Sequence, residues 1–176
     1  MAKGAAPARV RGNIMLGSVL SREDCANCRF CCSFRRKSLW ETPLFDEETV
    51  SRLSARYPDA RFKKRGDAYT IDLDDCYTTA DPEEEAPCPF NHSGCILGAD
   101  EKPFDCSIWP LRVMRYNGGL AICLTPTCPV ISEKPPEVMR ELAAGTVGDK
   151  TAEYAKLHPY MIKEYRDSFP VLRILE

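Results

Sequence analysis

A chain of 176 residues, 44% hydrophobic and 28% charged, has the size and makeup of one small globular domain. Its formal net charge of −2 supplies no long-range pull toward nucleic acid or an acidic membrane. No apolar run approaches the roughly 18 residues a transmembrane helix needs.

Residues 1–13, rich in Ala, Gly, Pro and Arg, show no periodicity and read as a flexible tail. The apolar patch Ile14-Met15-Leu16 falls short of a signal peptide, so the chain is expected to be cytoplasmic with reduced thiols. Residues 14–24 lead into the first cysteines. Asp46 is a suitable N-cap, and Val50, Leu53 and Tyr57 repeat at helical spacing, predicting a helix over 47–57 that Pro58 ends. The stretch 61–65 is polar and basic. Residues 68–73 alternate and predict a strand, and the acidic stretch 74–87 predicts an exposed loop. Residues 111–116 and 120–124 flank Asn117-Gly118-Gly119 and predict a β-hairpin. Pro135-Pro136 opens a helix that Gly145 stops. Tyr154, Leu157, Met161, Tyr165 and Phe169 continue at helical spacing over 150–168, with Pro159 as a possible break. Residues 171–175 predict a last strand. The expected fold is α+β, a small single domain over 14–176 with a motif core at 22–130 and a helical part at 136–169.

Ten cysteines are many for a reduced compartment. Four of them fall in eight residues, Cys25-x2-Cys28-x2-Cys31-Cys32. Two intervening residues let successive sulfurs turn toward one point, as metal knuckles require. A second group, Cys88, Cys95, Cys106 and Cys128, sits in punctuated sequence: Cys88-Pro89, Gly94-Cys95 and Cys128-Pro129. Proline after a cysteine fixes the backbone and removes a competing amide, and glycine before one permits a tight turn. A buried free cysteine is an ordinary reading for any single position and a poor one for eight in two groups. Thiolates suit zinc, copper(I) or iron–sulfur clusters. The run C-x2-C-x2-C is shared with [4Fe-4S] ferredoxins, whose fourth cysteine is followed by proline. Zinc more often uses two separated C-x2-C pairs, and the second pair is missing. An iron–sulfur cluster is therefore the favoured cofactor and zinc the alternative. In an extended chain the side chains of Cys31 and Cys32 point apart, so the pair argues either for two metals or a multinuclear site, or for one cysteine that ligates beside one that packs. Cys123, in an apolar strand, reads as core, and Cys76 as a strand-end residue, though either could substitute for a ligand. His92 reads as a surface or supporting group and Asp105 as a turn or supporting residue.

The pattern Cys25-x2-Cys28-x2-Cys31-Cys32, Cys88-Pro89-Phe90, Gly94-Cys95-Ile96, Lys102-Pro103-x2-Cys106-x2-Trp109-Pro110 and Cys128-Pro129 resembles the CxxCxxCC (YkgJ-type) cysteine cluster family. The resemblance spans about residues 22–130. Lys102 stands where Arg is common and Trp109 where Phe is common. It implies a zinc- or iron-chelating, iron–sulfur-cluster-containing protein with a structural, electron-transfer or accessory role toward a protein partner. Related domains include flagellin lysine-N-methylases, which makes a cluster-dependent protein-modifying enzyme one alternative. A zinc-stabilised interaction module is another. No glycine-rich nucleotide loop, C-x3-C-x2-C run or H-E-x-x-H motif accompanies the cysteines. Arg35-Arg36-Lys37 and Lys63-Lys64-Arg65 are the only support for a nucleic-acid partner, against which the net charge argues.

Overall fold

From Leu16 the chain makes one turn and enters helix α1 (Arg22–Cys28). The structure is a computed structural model that describes residues 16–36, 38, 40–98 and 101–176. The tail expected at 1–13 lies outside the described residues. Ser21 and Asp24 cap α1 reciprocally. The Asp24 N–H donates to the Ser21 hydroxyl at 3.0 Å, and the Ser21 N–H donates to the Asp24 carboxylate at 2.8 Å. Two amides that a helix start leaves unpaired are thereby satisfied. Arg29 then adopts a left-handed conformation (φ 54°) and directs the chain into a 3-10 turn, Phe30–Cys32, and strand β1 (Ser33–Arg35).

Helix α2 (Glu47–Arg56) starts as the sequence predicts, with the Thr49 N–H donating to the Asp46 carboxylate at 2.7 Å. Leu53 is its buried anchor. Strands β2 (Phe62–Arg65) and β3 (Ala68–Ile71) form an antiparallel hairpin around Gly66, whose φ of 60° suits glycine. The sequence marks β3 but not β2, because β2 is mostly charged. Its cost is offset locally, with Lys63 lying 2.6 Å from Asp74 and 3.6 Å from Asp72. Strand β4 (Glu85–Pro87) pairs with β1, placing Pro87 opposite Ser33. The acidic stretch expected to be a plain exposed loop is in fact anchored. The Glu84 carboxylate accepts the N–H groups and hydroxyls of Thr78 and Thr79 and meets Arg36 at 3.1 Å. Those bonds to the charged form hold Glu84 well below the usual carboxylate range.

The second half opens with the short helix α3 (Phe104–Ile108) and the predicted hairpin, β5 (Leu111–Tyr116) and β6 (Gly119–Leu124). Asn117 (φ 48°) and Gly118 (φ 79°) make its turn. Helices α4 (Pro129–Ser132), α5 (Pro136–Ala144) and α6 (Thr146–Leu157) follow, then strands β7 (Lys163–Glu164) and β8 (Val171–Leu175). The four strands lie in the order β7-β5-β6-β8, with β7 parallel to β5 and the other pairs antiparallel. The helix predicted over 150–168 ends at Leu157. Pro159 disfavours helical backbone at His158 (φ −129°, ψ 69°), and a 3-10 turn, Pro159–Met161, replaces it. The helical part assigned to 136–169 is corrected accordingly. Tyr165 and Phe169 belong instead to a small aromatic cluster, with Phe169 at 5.7 Å from Trp40 and Tyr165 at 4.8 Å from Tyr116.

The protein is thus α+β. Its apolar side chains gather in two principal clusters. One holds Ile108, Leu111, Ile122, Met139 and Met161 between the sheet and the C-terminal helices. The other holds Phe34, Phe45, Leu53, Ile71 and Phe90 around α2 and the small hairpin. Among the described residues no helix is long and apolar enough to cross a membrane.

Candidate metal centre

The capped helix α1 carries Cys25 and Cys28 at a spacing of three, so both lie on one side of it. The Arg29 N–H donates to the Cys25 carbonyl at 3.2 Å, and the Cys32 N–H donates to the Arg29 carbonyl at 2.9 Å. This reversal folds Cys31 and Cys32 back beside the helix. The extended backbone expected at the adjacent pair is a 3-10 turn instead, and the premise that the two thiols point apart is corrected. Both side chains line the same cavity.

The second cysteine group reaches the first through backbone pairing. The β1–β4 ladder ends with the Cys88 N–H donating to the Cys32 carbonyl at 2.7 Å. Asn91 and Cys95 then bridge, and the Gly94 N–H donates to the Asn91 side chain at 3.0 Å. Gly94 has φ 110°, and a Cβ there would lie 3.3 Å from the Ala26 Cβ. Glycine therefore serves both conformation and close approach, seating the Cys95 loop against α1. Pro103 precedes α3, which carries Cys106. Cys128 is the N-cap of α4, with Pro129 in the first turn, so the short helix starts at a cysteine.

Cys25, Cys28, Cys31, Cys32, Cys88, Cys95, Cys106 and Cys128 all line one cavity of about 190 Å³. Thiolate charge at one of these positions raises the pKa of others: Cys32 and Cys128 act on Cys25, Cys106 on Cys31, and Cys95 on Cys88. The eight thiols border one common space. Leu16 and Leu20 bring the first apolar cluster to this cavity, and Phe34, Phe45 and Phe90 bring the second. The cavity occupies the seam between them. Among the described residues no three of His, Cys, Asp or Glu close on a single point as one bound ion would require.

Burial pushes the Cys25, Cys106 and Cys128 thiols above their ordinary value and Cys88 up to about 12. The interaction within the vicinal pair raises Cys31 and lowers Cys32. Lys102 favours the thiolate at Cys25, Cys32, Cys88 and Cys106 together.

The two remaining cysteines stay apart from the cavity. Cys76 is exposed in a 3-10 turn, and Cys123 is fully buried on β6 beside Met114 and Ala121. His92 is exposed, its Nε2 3.0 Å from the Pro89 carbonyl, and does not line the cavity. All ten cysteines are free. Arg35 pairs with Glu41 and with Glu83 at 2.8 Å, so that part of the basic triplet is engaged within the fold. Lys37 lies outside the described residues.

Sequence reasoning missed Arg112. This residue is 1% exposed on β5, lines the cavity, and lies 2.7 Å from the buried Asp105 carboxylate. The signal was available: an arginine inside the otherwise apolar run from Leu111 to Met114 needs a buried partner. The chain matches no family model, and neither a curated protein nor a solved structure is significantly similar to it.

Proposed function

We propose that this protein binds an iron–sulfur cluster in the cysteine-lined cavity, in a structural, electron-transfer or accessory role. The observation that carries this reading is eight thiols around one cavity of about 190 Å³. One zinc ion and one [4Fe-4S] cluster each take four cysteines, so eight thiols supply two four-ligand sets, and the C-x2-C-x2-C run followed by a remote Cys-Pro favours iron–sulfur over zinc. Soft thiolates suit iron–sulfur chemistry, and Lys102 supplies positive charge where several thiolates would gather. Cys25, Cys28, Cys31, Cys32, Cys88, Cys95, Cys106 and Cys128 would supply the ligands. A cluster held there gives the protein a site that accepts and releases single electrons. On this reading the chain is a CxxCxxCC family member, cytoplasmic, acting on or with a protein partner.

Anaerobic purification from cells supplied with iron is the test. A brown protein with iron and sulfide in stoichiometric amounts supports the cluster. A colourless protein holding only zinc overturns it in favour of the zinc-stabilised module. Replacing Cys28 or Cys95 by serine is expected to release metal and lower stability, because ligation is coupled to folding.

A further inference from the structure

Arg112 is among the largest fully buried side chains of the protein, and its N–H groups are incompletely met. It lies between two tryptophans, its guanidinium carbon 4.6 Å from the Trp109 ring centre and 5.9 Å from that of Trp40. Asp105 is its ionic neighbour at 2.7 Å, but the N–H directions miss the carboxylate. Arg112 Nε and Nη1 and Asp105 Oδ1 are thus left without a hydrogen bond. Asp105 is already engaged elsewhere, its other oxygen accepting from the Leu44 N–H at 3.2 Å. Asp105 also exerts an electrostatic pull on Lys163, 7% exposed on β7, and on Arg65. A buried charge without full compensation is costly, and the structure must recover that cost from a partner.

The partner's place is indicated by what Arg112 lines. It borders the same cavity as the eight cysteines, together with Lys102. The carboxylates that border this cavity have other commitments: Asp24 caps α1, Glu41 holds Arg35, and Asp105 holds Leu44. The guanidinium N–H groups that miss Asp105 are therefore available to an anionic occupant. We infer that Arg112 is the buried counter-charge of the thiolate-ligated cluster, donating from its unpaired N–H groups to the cluster's sulfur-rich anionic surface, with Asp105 as the opposing charge that moderates it. The inference rests on the cluster reading above. Net charge and hydrogen bonds to the sulfurs are the protein's levers on the potential of such a cluster. Positive charge at Arg112 stabilises the more negative, reduced state and raises the potential. Asp105 acts in the opposite sense.

The test compares the full chain with Arg112→Gln, Arg112→Lys and Asp105→Asn after anaerobic reconstitution with iron and sulfide. Iron and sulfide contents are measured, midpoint potentials are obtained by redox titration, and circular dichroism reports the fold. Arg112→Gln is expected to shift the potential negative or lose cluster, Arg112→Lys to restore the parent's behaviour in part, and Asp105→Asn to shift the potential positive. Loss of packing alone would move both residues' variants in the same direction, so shifts of one sign overturn the inference. So do unchanged potentials and contents. If Arg112→Gln does not fold, the Asp105→Asn shift decides: a positive shift supports the inference, and any other result overturns it. A parent chain that takes up no iron and sulfide overturns the cluster reading itself. A loaded parent with unresponsive variants overturns only the role of Arg112.

Discussion

Cys106 and Cys123 are chemically identical, and their surroundings separate them. Cys106 opens on the shared cavity, near Cys31, Cys32 and Cys88, whereas Cys123 packs on β6 among apolar neighbours. Cys106→Ser is expected to lose bound metal. Cys123→Ser is expected to keep it and lose about 1–2 kcal/mol of stability, because a hydroxyl is buried where a weakly polar thiol sat. Metal analysis beside urea denaturation distinguishes the two, and loss of metal from the Cys123 variant would contradict the assignment. Lys163 is the other residue whose environment determines its chemistry. Burial, reinforced by Arg112 and Arg65, lowers its pKa to about 8 from 10.5, against the attraction of Asp105. Between these values the unfolded chain holds more protons than the folded one, so this residue makes stability rise with pH. Below about pH 8 the folded ammonium is charged and its full cost, on the order of 3 kcal/mol, is present. Lys163→Met is therefore expected to be more stable than the parent at pH 7, with the gap closing as pH approaches 10.5. Urea denaturation across that range measures it; a constant gap would show that Lys163 does not titrate there.

Helices α2 and α5 and the large hairpin were legible because their stop and start signals are local, whereas α1, α3 and α4 were not. Asp46, Asn117-Gly118 and Pro136 act through their own backbone conformations and hydrogen bonds. Strand β2 was not legible, since Phe62-Lys63-Lys64-Arg65 becomes a strand through its ladder with β3 and its ion pairs. The α5–α6 corner is another element decided by contact. A Cβ on Gly148 would fall 1.7 Å from the Ala143 carbonyl oxygen. Glycine in a helix ordinarily costs about 1 kcal/mol relative to alanine. Here the backbone clash outweighs that gain, and Gly148→Ala is expected to destabilise by about 3 kcal/mol. A stabilised variant in thermal melts would show that the two helices can separate at no cost.

At the scale of the whole molecule, the cavity is lined by residues of both principal apolar clusters. An occupant bound by cysteines from both sides would act as a cross-link between them. Anaerobic removal of bound metal with a chelator is expected to lower the Tm by about 10 °C. Ligand saturation at a thousand times Kd stabilises by about 4 kcal/mol, and each kcal/mol moves the Tm of a chain this size by about 2–4 °C. A Tm unchanged after complete metal loss would mean that the clusters hold together without the occupant.

The sequence alone determined the donor chemistry and the elements whose signals are local, among them α2, α5 and the β5–β6 hairpin. Cys-Pro, Gly-Cys and the C-x2-C spacing bias the backbone within a few residues, and that bias survives in any surroundings. Tertiary structure alone decided that the eight thiols border one cavity, that Cys76 and Cys123 stay outside it, and that Arg112 and Asp105 border it. Those outcomes depend on the β1–β4 ladder, on Gly94 seated against Ala26, and on β5 lying beneath the cavity. Each brings together residues far apart in the chain, and only the burial and pairing energy of the complete fold repays the entropy of closing such loops.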